Sequence, residues 1–205
     1  LLKTKFTTLK GGRVVIGNFN GSDSVNFKPC VLSVKILPSH ISKTEVSVKE
    51  YMEFVEKNNG VYQDVNLKPS IDTVNGISSD FFQDYLTDKK YQDYPIIGVS
   101  YVQAMAYCDW MTAKLNEQFT KNSKVKFYCR LPTDAEMQFV MINSFEPVTG
   151  MLQNVPSDKF VNDNNTSSFP NSPVRTNKAP ILSIYNIVNN VAEWVLDTPR
   201  SNPDE

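Results

Sequence analysis

The chain contains a single histidine, His40, and only three cysteines, Cys30, Cys108 and Cys129, among 205 residues. A histidine-based metal site or a Ser-His-acid triad would have to be built on that one imidazole, which argues against both. The cysteines show no C-x-x-C spacing. An odd number allows one internal disulfide at most and does not fix the redox compartment. An excess of charge of either sign is also missing. Lys and Arg total 21 against 22 Asp and Glu, a formal net charge of −1. With no basic patch in the sequence, no nucleic-acid partner is expected. No apolar run approaches the roughly 20 residues of a membrane span. No intact signal peptide is visible, and the opening LLKTKF lacks Met, as a processed or trimmed start would. The length suits one domain, with or without insertions, and a sizeable core.

What is present is concentrated in Pro95–Val140. Ile96, Ile97 and Val99 follow a proline as a short buried strand would. Ser100 with Gln103, and Thr133 with Glu136, form two capping boxes, each predicting a helix start. In the first of these helices Ala104, Cys108, Met111 and Leu115 share one face. Asn122 to Lys126 reads as a loop, and Pro132 holds Leu131 extended. A third box, Ser47 with Glu50, starts a helix whose apolar face is Val48, Tyr51, Met52 and Val55 and whose stop is Asn58-Asn59-Gly60.

Residues 1–37 look β-rich, with a Gly11-Gly12 turn signal and a strand over Arg13–Gly17. A second strand, carrying Val31, Leu32, Val34, Ile36 and Leu37, is expected to be buried on much of both faces until Pro38 interrupts it. Residues 61–94 carry little periodicity. They read as an insertion in which Phe81, Phe82 and Tyr85 pin a short helical turn, while Tyr91 and Tyr94 cover the strand after Pro95. Residues 143–180 form a long Asn-, Ser- and Pro-rich loop, a length that is unusual unless the loop is functional or held by something else. The N-x-[ST] matches within Asn164-Asn165-Thr166-Ser167 lie there.

Four stretches in order, GGRVVIGNF, ISKTEVSVKEYMEFV, the pair YPIIGVSYVQAMAYCDW and RLPTDAEMQF, and YNIVNNVAEWVLD, resemble the formylglycine-generating-enzyme (sulfatase-modifying-factor) family. The resemblance spans most of residues 11–197. YPIIGVS and NVAEWVLD are especially similar to the branch of gliding-motility and type IX secretion lipoproteins of Bacteroidetes. The resemblance implies an α+β fold related to C-type lectins, with short strands, few helices and long irregular loops. A single such domain over residues 1–205 is expected, lacking its distal part.

Two readings of Asn186 to Trp194 stand side by side. Asn186 and Glu193, with the carbonyls between them, are hard oxygen donors of the type Ca²⁺ takes. Equally, Asn186, Asn190 and Glu193 could satisfy backbone groups in a tight turn, with Trp194 in the core. The family holds calcium at the matching stretch. By that resemblance the ligands are Asn186 and Glu193 through side chains, and Asn189 and Val191 through carbonyls. Asn189 replaces the usual glycine, and Asn tolerates a left-handed backbone. A second calcium site of the family lacks its acidic pattern here.

The family's enzymes use a copper-binding cysteine pair beyond the E-W motif. The sequence in hand has no such pair there, so no catalytic residue and no copper are expected in it. Cys108 and Cys129 read as small buried hydrophobes. Arg130 is expected to pair with Glu193 or Asp134, Trp110 and Trp194 to pack in the core, and His40 to lie at the surface or a strand edge. The resulting expectation is a non-catalytic, protein-binding scaffold of a bacterial cell-envelope complex, periplasmic or at the outer membrane or cell surface, with other envelope proteins as partners and a lipid anchor upstream of Leu1. A cysteine/copper oxidase whose distal segment is absent, and a lectin-like ligand-binding domain, are the alternatives.

Overall fold

Two β-strand pairs at the start of the chain share one register. In the computed structural model, which describes residues 2–17, 31–58, 62, 65–74, 76–119, 125–144, 173–175, 182–187 and 190–197, a short helix α1 (Leu2–Lys5) leads into β1 (Phe6–Leu9) and β2 (Gly12–Gly17). These return as β3 (Val31–Ile36) and β4 (Ser39–Ser42). β1 pairs antiparallel with β4 and β2 with β3; Leu9 faces Ser39 and Gly12 faces Ile36. Two residues intervene on each side, Lys10-Gly11 and Leu37-Pro38, so the register passes the break without a slip. Gly11-Gly12 is therefore a kink in a ribbon and not a turn. Gly11 has φ +76°, and a Cβ on it would lie 2.7 Å from the Ile36 carbonyl oxygen. Only glycine accommodates both conditions cheaply.

The ribbon buries one face. Val14 and Ile36 meet Ala135 and Phe139 of α5 (Asp134–Ser144). On the face away from α5, Val15, Ser33 and Lys35 are exposed, as is Leu37 just past the strand, which corrects the expectation of a strand buried on both faces. Leu32 shares the row of Val34 and Ile36 but is exposed outside their contact with α5. Packing on a single helix covers one side of a two-stranded ribbon and leaves the other in water.

The main core lies between α2 (Val48–Lys57) and α4 (Tyr101–Phe119). Tyr51, Phe54, Tyr107, Met111 and Leu115 interlock there with Leu67 and Ala106. Phe54 is fully buried and edge-on to Tyr51 and Tyr107. Each such ring contributes about 2–3 kcal/mol by burial. The α2 face is Val48, Tyr51 and Phe54, with Met52 and Val55 at its margin. On α4 the buried stripe runs through Gln103, Tyr107, Met111 and Leu115, with Ala106 beside it. Met111 and Leu115 are buried as expected, and in the first half the stripe is displaced by one position, from Ala104 and Cys108 to Gln103 and Tyr107. Ala104 and Cys108 flank it, half-buried.

All three capping boxes form. Ser47 Oγ accepts from Glu50 N–H at 3.3 Å and Ser47 N–H donates to Glu50 at 3.2 Å. Ser100 and Gln103 repeat the pattern, as do Thr133 and Glu136. Gln103 does more than cap: its Nε2 donates to the Asn66 and Lys68 carbonyls at 2.6 and 2.9 Å, tying residues 66–68 to the start of α4.

Residues 96–99 do not form a strand. An isolated bridge joins Ser47 to Pro95, Ile96 N–H donates to the Val46 carbonyl, and Gly98 at φ +74° then turns the chain beneath Phe82. Phe82 and Tyr85 belong to a full helix, α3 (Ser79–Thr87), longer than the expected turn, and both are buried. Tyr85 Oη donates to the Pro95 carbonyl at 2.5 Å, and Tyr91 and Tyr94 pack around the Tyr85 ring. Most of residues 143–180, including Asn164–Ser167, and Cys30 lie outside the described residues. No helix among the described residues is long and apolar enough to cross a membrane.

Candidate functional site

Glu45 stands between β4 and the Ser47 cap of α2, held there because the flanking backbone is paired. Val48 N–H donates to the Tyr94 carbonyl, Ile96 N–H donates to that of Val46, and Tyr185 N–H donates to that of Lys43. The last of these draws residues 182–187 onto the edge just before α2. Glu45 is 7% exposed. Its Oε2 accepts from Asn186 Nδ2 at 2.9 Å and from Asn190 Nδ2 at 3.2 Å. Its Oε1 is buried with no hydrogen-bond partner among the described residues.

The two asparagines reach Glu45 because both sit in left-handed backbone, Asn186 at φ 56° and Asn190 at φ 83°. Asn adopts that region more readily than other residues with a Cβ. Asn186 Nδ2 also donates to the Pro173 carbonyl at 3.3 Å. With the amide nitrogen facing two acceptors, Asn186 Oδ1 is left as the free face of that side chain. Burial pushes the Glu45 pKa up to about 7, against the lowering effect of the two asparagine hydrogen bonds. Glu193 is exposed as a residue, yet its carboxyl lies amid enough protein that desolvation, with the nearby Glu45 charge added, pushes it up to about 7.

Of the predicted calcium ligands, Asn186 lies in the described residues 182–187, and Val191 and Glu193 lie in 190–197. Asn189 lies outside the described residues. Among the described residues the amides of Asn186 and Asn190 serve the Glu45 carboxylate, and that of Asn186 also reaches the Pro173 carbonyl. An orphaned buried carboxylate oxygen, a second carboxylate nearby and an amide oxygen facing neither form a donor set that fits a hard divalent cation. Among the described residues no three His, Cys, Asp and Glu side chains gather as a metal cluster; this set consists of two carboxylates with amide and carbonyl oxygens. Glu45 was missed as a candidate, although it sits in the TEV of the second family-like stretch, immediately before a capping Ser.

Around this site the remaining motif residues take structural positions. Arg130 pairs with Glu136, not with Glu193 or Asp134. Its Nη1 and Nη2 donate to the two carboxylate oxygens at 2.7 and 2.8 Å, and Nη1 also donates to the Leu131 carbonyl at 2.9 Å. Glu136 thus closes the Thr133 box and a bidentate arginine pair at once, and the arginine pair holds its pKa below the usual carboxylate range. Trp194 is 48% exposed, which corrects its placement in the core. Its Nε1 donates to the Val99 carbonyl at 2.9 Å, and its ring meets Tyr101 edge-on at 5.8 Å. Tyr101 Oη donates to the Leu196 carbonyl, Leu196 N–H donates to that of Pro132, and Asp197 Oδ1 accepts from Asp134 N–H. The 194–197 segment therefore bridges the N-termini of α4 and α5. An indole that fastens a chain segment in this way keeps one face in water. Trp110 is partly buried on the main core with Lys114 Nζ 4.4 Å from its ring centroid. His40 is exposed on β4 opposite Thr8.

Cys108 and Cys129 are free, half-buried thiols. Thr112 Oγ1 binds both backbones, donating to the Cys108 carbonyl at 3.0 Å and accepting from Cys129 N–H at 2.8 Å. Burial pushes the Cys108 thiol up to about 12 and also raises Cys129. Neither is poised as a thiolate.

The sequence profile of the sulfatase-modifying factor enzyme 1-like domain matches residues 3–204. A search among curated proteins finds no match.

Proposed function

The chain belongs to the sulfatase-modifying factor enzyme 1-like domain family, and from that premise we propose that it serves as a non-catalytic, protein-binding scaffold of the bacterial cell envelope. The observation that carries this reading is the state of the two described thiols, Cys108 and Cys129. The family's oxidative chemistry needs reactive cysteines that can hold a soft metal. The backbones of Cys108 and Cys129 are fastened to Thr112, and burial suppresses the ionisation of both thiols. Three motif residues are likewise committed to architecture among the described residues: Arg130 to Glu136, Trp194 to Val99 and Tyr101 to Leu196. Placement in a secretion or gliding-motility complex rests on the similarity of YPIIGVS and NVAEWVLD to the branch of gliding-motility and type IX secretion lipoproteins, and a C-type-lectin-like relation of the fold rests on the resemblance to the family.

Within this scaffold, Asn186, Val191 and Glu193 form a structural calcium site. When bound, the cation supplies charge neutralisation and no chemistry of its own. Glu45 holds the Asn186 amide, and Asn190 supports Glu45. The reading is tested by incubating the purified chain with a sulfatase-type cysteine peptide, a reductant, dioxygen and copper, and measuring the peptide by mass. The peptide is expected back without an aldehyde product. Conversion would overturn the scaffold reading in favour of a cysteine/copper oxidase.

A further inference from the structure

We propose that Glu45 is itself a ligand of the cation, contributing Oε1 beside the Glu193 carboxylate, so that the site joins the start of α2 to Asn186 and Glu193. This rests on the reading that Asn186, Val191 and Glu193 hold a divalent cation.

The argument begins with an unsatisfied atom. Glu45 is 7% exposed, and one carboxylate oxygen is buried without a partner. A buried acceptor left unmade is costly, and native structures almost always satisfy such atoms. The other oxygen is held by two amides at 2.9 and 3.2 Å. Two donors on Oε2 fix the carboxylate plane, so Oε1 cannot escape by rotation without breaking both. The same contacts orient the ligand set. Asn186 gives its Nδ2 to Glu45 and to the Pro173 carbonyl, both acceptors, which leaves Oδ1 as the face that can meet a cation. A neighbouring Glu193 makes the arrangement repulsive when no cation is present. Two carboxylates with neutral amide and carbonyl oxygens balance one divalent ion, and calcium takes six to eight oxygens in flexible geometry. Asn186 and Glu45 are 141 residues apart in sequence. A shared ion would therefore clamp two distant parts of the chain, as a structural metal does.

The test uses the full chain and two metals. Tb³⁺ luminescence excited through Trp194, the neighbour of Glu193, reports occupancy; Ca²⁺ competition and the calcium-dependent rise in Tm report affinity. Wild type is expected to give sensitised emission that Ca²⁺ displaces. Glu45→Gln is expected to bind Ca²⁺ about 30-fold more weakly or worse and to lose most of the calcium-dependent Tm rise. Its metal-free Tm should match or exceed that of wild type, because a repulsive charge has gone. If Glu45→Gln binds Ca²⁺ within about threefold of wild type, Glu45 is not a ligand, and the Asn186–Glu193 site stands without it. If wild type binds neither metal, both readings fall. Should the Gln variant not fold, Glu45→Asp decides: a shortened arm is expected to weaken Ca²⁺ at least tenfold or so, and unchanged affinity overturns the proposal.

Discussion

Gly98 is where the tertiary structure makes its sharpest demand on a single position, and Gly98→Ala tests it. The residue has φ +74°, and a Cβ there would lie 2.7 Å from the Ser70 carbonyl oxygen and 2.8 Å from the Phe82 ring. The left-handed backbone alone costs an alanine about 1–2 kcal/mol. Neither neighbour yields easily. Ser70 is fixed because its N–H donates to the Gly98 carbonyl at 2.8 Å, and Phe82 is 1% exposed in a packed site. Overpacking of this kind adds about 1–3 kcal/mol. The sum, about 2–5 kcal/mol, corresponds to a fall in Tm on the order of 10 °C for a chain of this size. Urea denaturation at fixed temperature, with thermal melting followed by circular dichroism, measures both. The double variant Gly98→Ala/Phe82→Leu separates the contributions, because removing the ring should return part of the overpacking cost and none of the backbone cost. A Gly98→Ala protein within about 0.5 kcal/mol of wild type would refute the reasoning and mean that residues 96–100 rearrange freely.

Two further outcomes follow from the motif residues. Glu136→Gln removes the charge from the bidentate Arg130 pair and should destabilise by about 1 kcal/mol at neutral pH, discounted because Arg130 is partly exposed. The native Glu136 pKa is depressed by Arg130, so its contribution is complete above the unfolded carboxylate pKa and is lost as pH falls through the native one. The gap in stability between wild type and Glu136→Gln should therefore close on acidification; a pH-independent gap would sink this account. Cys108, with its thiol pushed up to about 12, has a thiolate fraction of roughly one in ten thousand at pH 8. It should resist iodoacetamide in the native chain and react once the chain is unfolded, as read by mass spectrometry of the peptides; prompt native labelling would contradict its burial and weaken the scaffold reading.

The three helix starts were legible in the sequence because a capping box is a local device. Ser47-Glu50, Ser100-Gln103 and Thr133-Glu136 each close a loop of four residues, and the chain needs no distant partner to form them. The α+β character and the family could likewise be read from short motifs in order. What local pattern could not decide was where each element meets another. The apolar run at Ile96–Val99 has the composition of a strand, but Ser47 and Val46 supply pairing only at Pro95 and Ile96, and Gly98 turns the rest beneath Phe82. Val15 has the hydrophobicity of a core residue and stays in water because the ribbon has a helix on one side only.

The same division runs through the candidate site. The residues of Asn186–Trp194 suited a hard cation or a tight turn alike, and it was the family resemblance that nominated Asn186 and Glu193 as ligands. Only the tertiary structure could bring Glu45 to them, across 141 residues, by pairing Tyr185 with Lys43 and Val48 with Tyr94. It also decided that Arg130 would choose Glu136 and that Trp194 would fasten to Val99 at the surface. A side chain's chemistry is fixed by its type, but its partner is fixed by which backbone segments the fold brings within hydrogen-bond reach, and that reach is long-range.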